Sequence, residues 1–109
     1  MTATWSEHPE ARAEFLDAVA YLADRHLGLV DELIDRVESA IEDVVEMPAS
    51  WPPVPYWDEE PRLRSRAVKP FRYHIVYYVV ADAVRVIAYA HESQEPGYWQ
   101  RRLGDEGFT

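Results

Sequence analysis

Three arginines, Arg62, Arg64 and Arg66, recur at every second position, the spacing that puts side chains on one face of a β-strand. Lys69, the single lysine, and Arg72 follow closely. Planar guanidiniums in such an array can grip phosphates or carboxylates in bidentate fashion. Equally, they can neutralise acidic helices elsewhere in the chain. A second group lies near the C-terminus. His91 ends an apolar run, where an imidazole serves as a general base or as a hydrogen-bonding group that fixes the next loop. Tyr98, Trp99, Arg101 and Arg102 come after it. The arginine pair suits either a ligand or the negative end of a short helix.

Other chemistries lack their residues. Cysteine is absent, which removes disulfides, thiolate metal sites and a Cys nucleophile. Four glycines, none of them in a phosphate loop or dinucleotide fingerprint, give no backbone cradle for a nucleotide. The histidines are scattered at 8, 26, 74 and 91, with no HExxH pattern. Neither a metal nor a cofactor is expected.

Those residues must be held by one domain, 1–109, because a folding unit takes about 100–150 residues. A chain of this length is expected to build one core and no second. Apolar residues make up 48% and aromatics 13%, a globular composition. The formal charge of −9 argues against nucleic acid and anionic membranes. It is unevenly spread. Residues 1–60 hold 15 acids and 3 bases, a net of −12, whereas residues 61–109 hold 5 acids and 8 bases, a net of +3. No signal peptide is visible, and the longest apolar run, Ile75 to Ala81, is seven residues, against the roughly 20 that span a bilayer. The expectation is a soluble cytoplasmic protein.

The periodicities give an α+β order. Residues 2–6 read as a short strand. Ser6 to Glu10, with Pro9, reads as a helix entry in which Glu7, Glu10 and Glu14 complement the helix dipole. Phe15, Leu16, Val19, Leu22 and Ala23 continue a helix that Gly28 stops. Val30, Leu33, Ile34, Val37, Ile41 and Val44 form a second apolar stripe opposite acids. The short connection makes a helical hairpin. Residues 48–61 contain five prolines and form an extended loop. That loop is either a ligand for an aromatic groove or a connector whose Trp51 and Trp57 pack on the domain. Three strands follow in 62–68, 72–80 and 84–90, the last two joined by a turn at Asp82-Ala83. A short C-terminal helix is expected over 98–103, and 104–109 are expected to fray.

This order resembles the ParE/RelE toxin superfamily of bacterial type II toxin–antitoxin systems, in its ParE-like, plasmid-stabilization branch. The most specific pieces are the strand Phe71-Arg72-Tyr73-His74-Ile75-Val76-Tyr77 and the tail His91 followed by Pro96-Gly97-Tyr98-Trp99-Gln100-Arg101-Arg102. The family shows two arginines shortly after the His; this chain has Ser93 and Gln94.

The resemblance implies a helical hairpin on a three- to four-stranded antiparallel sheet, and a toxin neutralised by a cognate antitoxin. ParE-like members block DNA gyrase by binding, and RelE-like members cleave ribosome-bound messenger RNA without metal. As an endoribonuclease the chain would use Arg64 and Arg66 on the phosphate and His91 or Tyr98 for proton transfer. As a binding toxin it would present Arg62, Arg64, Arg66, Arg72, Tyr98, Trp99, Arg101 and Arg102 to gyrase or to antitoxin carboxylates. One lysine and a neutral Ser93-Gln94 weigh toward binding over catalysis. Direct DNA binding by the toxin alone is not expected. A third reading is an inactive member that only binds its antitoxin.

Overall fold

The computed structural model describes residues 4–105. Strand β1 (Thr4–Glu7) leads into α1 (Pro9–Arg25), a 3-10 turn (Leu27–Leu29) and α2 (Val30–Glu46); a long loop then reaches β2 (Arg64–Val68), β3 (Tyr73–Val80) and β4 (Ala83–His91), and the chain closes in a 3-10 turn, Gln100–Gly104. The sheet order is β1-β4-β3-β2. Strands β2, β3 and β4 form the expected antiparallel meander. β1 runs parallel to β4, so the four-stranded sheet is mixed and not wholly antiparallel. A parallel neighbour needs a long crossover; here the hairpin, the loop and two strands intervene. No helix among the described residues is long and apolar enough to cross a membrane.

Local chemistry explains the boundaries. His8 caps α1 by accepting the Glu10 N–H on Nδ1 at 3.0 Å, and Pro9 follows in the first turn, where its missing N–H costs nothing. Glu7 therefore belongs to β1, and the helix starts later than the Ser6 entry. α1 ends at Arg25, before the expected Gly28 stop, because Leu27–Leu29 tighten into the 3-10 turn. In the β3–β4 hairpin the turn falls at Ala81 and Asp82, both at positive φ (49° and 65°). It lies one residue earlier than expected, in the geometry that matches strand twist.

Alternation along the strands fills both faces of the sheet. Ile75, Tyr77, Val84, Val86 and Tyr89 meet Leu33, Val37, Ile41 and Val44 under the helices. On the other face Leu63, Val76, Tyr78, Ile87 and Trp99 form a second apolar cluster with Val54. The chain thus builds two cores where one was expected, because the sheet serves as a shared wall and the proline-rich loop covers its second face. Trp51 packs on the helix-side cluster and Trp57 on the other, as a packed connector requires. A bulge between β3 and β4 shifts the register, pairing Val76 with Ala88 but Tyr77 with Val86, so Ile87 stands unpaired. The tail is more ordered than expected at its start: Gly104 ends the 3-10 turn and Asp105 bonds His8 at 2.7 Å. The remainder of the expected frayed tail, 106–109, and the first residues of the predicted strand, 2 and 3, lie outside the described residues.

Candidate functional site

The basic strand faces the helices, not solvent. Arg64, Arg66 and Val68 alternate onto one side of β2, and Val68 belongs to the helix-side core. Arg66 stacks over the Trp51 ring at 4.7 Å, donates to Asp43 of α2 at 2.7 Å and bonds the Ala67 carbonyl. Arg64 donates to the Trp51 carbonyl at 2.6 Å. Arg62 precedes the strand, exposed and 3.4 Å from Glu60, so the third member of the expected stripe is not on the strand. Lys69 and Arg72 are exposed. Arg72 sits at φ 61° and its carbonyl accepts the Glu92 N–H at 2.9 Å.

The C-terminal group is tied to α1. Trp99 is 1% exposed and Arg102 is 4% exposed. Arg102 reaches through the fold to Glu14, with Nη1 3.0 Å from Oε1, and to the bulge carbonyl of Ile87 at 3.0 Å. Arg101 makes a two-pronged bond to Glu10 at 2.9 and 2.6 Å. This holds the Glu10 carboxyl below its ordinary range. Tyr98 donates its hydroxyl to Glu14. Burial, with the neighbouring Glu14 carboxylate, pushes the Tyr98 phenol well above its usual range. Of the residues expected to contact a target, Trp99 and Arg102 are thus enclosed by the fold, and Tyr98 holds its proton firmly.

His91 is only half enclosed. Its ring sits edge-on to Tyr73, with centroids 4.9 Å apart, and Nδ1 is 2.7 Å from the Ser93 hydroxyl. Gln94 Oε1 accepts the His91 backbone N–H at 2.9 Å. The two residues standing in place of arginines therefore tether His91 to its own loop. His91 and Tyr98 line a cleft of about 350 Å³ on the second sheet face, with His74, Pro53, Tyr56 and Trp99. Arg64 lines a different cleft, beside Tyr77, and Arg66 another, beside Arg36. Arg64, Arg66 and the pair His91 and Tyr98 of a nuclease reading thus line separate clefts, and His91 also borders another with Tyr73 and Glu14.

One group has the composition of a metal site: His8, Glu10 and Asp105 present ligand atoms within 4.8 Å of one another. The donor set argues otherwise. His8 Nδ1 accepts the Glu10 N–H, so the ring proton resides on Nε2, the nitrogen that faces Asp105 at 2.7 Å. A cation there would have to displace that proton and compete with Arg101 for Glu10.

Glu7 and Glu14, expected only to complement the helix dipole, instead organise this end of the fold through inward bonds. Glu14 gathers Arg102, Tyr98 and, at 3.1 Å, the Tyr89 backbone N–H. Buried Glu7 bonds Arg12 and the Tyr89 hydroxyl. Only the position of Glu14 among the apolar residues Ala11, Phe15 and Ala18 signalled a carboxylate turned inward.

A family model described as the ParE toxin of type II toxin–antitoxin systems, parDE, matches residues 7–96. A chain from a solved structure titled "Chromosomal ParDE TA system from P. aeruginosa" superposes with a TM-score of 0.68 at 8% identity, covering 82% of this chain and 95% of that one. At that identity the likeness speaks for the fold. No curated protein matches the sequence.

Proposed function

The chain belongs to the ParE toxin family of type II toxin–antitoxin systems, and from that premise we propose that it is a cytoplasmic toxin that acts by binding DNA gyrase and is neutralised by a cognate antitoxin. The observation that carries binding over cleavage is the state of its cations. RNA cleavage needs uncompensated positive charge converging on one phosphate, beside a group that moves a proton. Here Arg66 is paired with Asp43, Arg101 with Glu10 and Arg102 with Glu14. His91 is bonded to Ser93, and Tyr98 to Glu14. What remains outward is a mixed surface of the kind that recognises another protein. It includes Tyr56, Lys69, Arg72 and the aromatic-lined cleft.

The test is a supercoiling assay with purified gyrase and the purified chain, run beside an assay for cleavage of ribosome-bound message. Inhibited supercoiling with intact message supports the proposal. Message cleaved in the codon-occupied site assigns the endoribonuclease activity instead. Neither effect, together with unimpaired growth on induced expression, makes the chain an antitoxin-binding member without toxicity.

A further inference from the structure

We propose that the cleft on the second face of the sheet binds a small organic cation, an aromatic or aliphatic body that carries a primary ammonium or a guanidinium. This goes beyond the gyrase reading and does not depend on it.

The cleft, about 350 Å³, has the size of a small-molecule site. Its walls come from segments that only the fold brings together: the proline-rich loop, the central strands and the loop after β4. Val54, Val76 and Ala90 give it an apolar lining, and the buried Trp99 adds an aromatic one. Trp57 packs on Trp99, with centroids 5.7 Å apart, so that wall is in place before a ligand arrives. Tyr56 lines the same cleft and is 54% exposed. Its neighbours Val54 and Trp57 pack into the second core, whereas the Tyr56 ring stays available at the surface.

Charge selects the ligand. Glu92 and Glu95 line the cleft, and no lysine or arginine does. Elsewhere at this end of the fold the carboxylates are answered by guanidiniums, Glu10 by Arg101 and Glu14 by Arg102. Glu92 has instead the His74 imidazole at 3.2 Å. Glu95 is exposed and makes no ion pair among the described residues. Two carboxylates beside aromatic rings attract an ammonium twice over, through opposite charge and through the negative faces of the rings.

Other occupants fit the same walls poorly. A phosphate would meet two carboxylates and no cation. A peptide that adds a strand needs a free sheet edge, and β3 and β4 are the inner strands of the order β1-β4-β3-β2. A metal ion needs converging ligand atoms, and the group with that convergence among the described residues is His8, Glu10 and Asp105, not His74, His91 and Glu92.

The experiment titrates the full chain with benzylamine, benzyl alcohol and benzoate, three probes that share a ring and differ in charge. Binding is followed by the shift of the Trp99 indole N–H. Benzylamine should saturate this signal, more weakly as salt is raised, with benzyl alcohol several-fold weaker and benzoate without effect. In Glu92→Gln/Glu95→Gln, with circular dichroism confirming the fold, benzylamine affinity should fall roughly fivefold. Tyr56→Ala, at an exposed position, should also weaken it. Benzyl alcohol binding as well as benzylamine would make the cleft a site for the apolar body alone and overturns the proposal. Unchanged benzylamine affinity in the folded double variant, or no shift of Trp99 with benzylamine, overturns it as well. Each of these results leaves the toxin reading standing.

Discussion

Arg102 and Glu14 meet across the molecule, Nη1 3.0 Å from Oε1, with the arginine side chain 5% exposed and the carboxylate 17% exposed. The pair fastens the last turn of the chain to the first helix; the bulge carbonyl of Ile87 accepts from the same Nη1 at 3.0 Å, while the buried Nε has no hydrogen-bond partner. Removing Glu14 leaves the buried Arg102 with the more distant Glu10, 3.9 Å from its Nε, and takes the acceptor from the Tyr98 hydroxyl and the Tyr89 N–H. Glu14→Ala should therefore destabilise the fold by about 3 kcal/mol, read as a lower urea midpoint at unchanged slope. A change below about 1 kcal/mol would mean that water reaches Arg102.

Alkaline pH should weaken the protein from the ordinary tyrosine range upward, through phenols that the fold keeps protonated. Burial pushes the Tyr77 phenol, whose hydroxyl bonds the Pro48 carbonyl at 2.5 Å, up to about 12. A raised folded-state value means that the unfolded chain loses the proton first. Stability is thus complete below about pH 10 and falls as pH rises toward about 12, by roughly 1.4 kcal/mol per pH unit for this group. Tyr89 and Tyr98, raised further by burial and by Glu7 and Glu14 respectively, act in the same direction. Denaturant midpoints from pH 9 to 12, followed with tyrosinate absorbance, check this; a flat profile contradicts it.

Glu10 offers the opposite sign. The bond from Arg101 keeps its carboxyl low, so the contribution of this pair is present at neutral pH and is lost as pH falls through the folded value. In a carbon-detected titration Arg101→Gln should move the Glu10 midpoint upward and leave carboxyls remote from the C-terminal turn where they were. An unmoved midpoint would show that Arg101 leaves Glu10 in solution.

Ser93 and Gln94 can be tested as the reason for weak positive charge around His91. Both are exposed and bond His91, and the Gln94 side chain also bonds Tyr98. Ser93→Arg/Gln94→Arg should strengthen gyrase inhibition several-fold with little change in stability, since surface substitutions are usually within about 0.5 kcal/mol. Unchanged inhibition would remove these positions from the target surface.

The Ala81-Asp82 turn carries two L-residues at positive φ, which Asn and Gly tolerate better. Ala81→Asn/Asp82→Gly should raise stability by about 1 kcal/mol, measured as a higher thermal midpoint with the sheet's circular dichroism unaltered.

Much of this architecture was written in local pattern. The stripe from Leu33 to Val44 and the alternating run from Tyr73 to Val80 named α2 and β3, because a helix or strand shows its buried face at a fixed short period. The strand-end His and the Tyr98-Trp99 tail likewise pointed to the family. The working state of the side chains was not legible. Arg62, Arg64 and Arg66 have strand spacing, yet spacing cannot say which side of the sheet the helices cover. The helices cover the arginine side, and Asp43 on α2 answers Arg66.

Charge shows the same division. The sequence by itself determined an acidic helical half and a basic sheet half. Only the tertiary structure decided that Glu10 and Glu14 of the first would close on Arg101 and Arg102 of the second. It also decided that Arg36 and Lys69, far apart in the chain, would share a cleft. Propensity and periodicity act over a few residues. An ion pair depends on a distance through space, which exists only once both faces of the sheet have been covered.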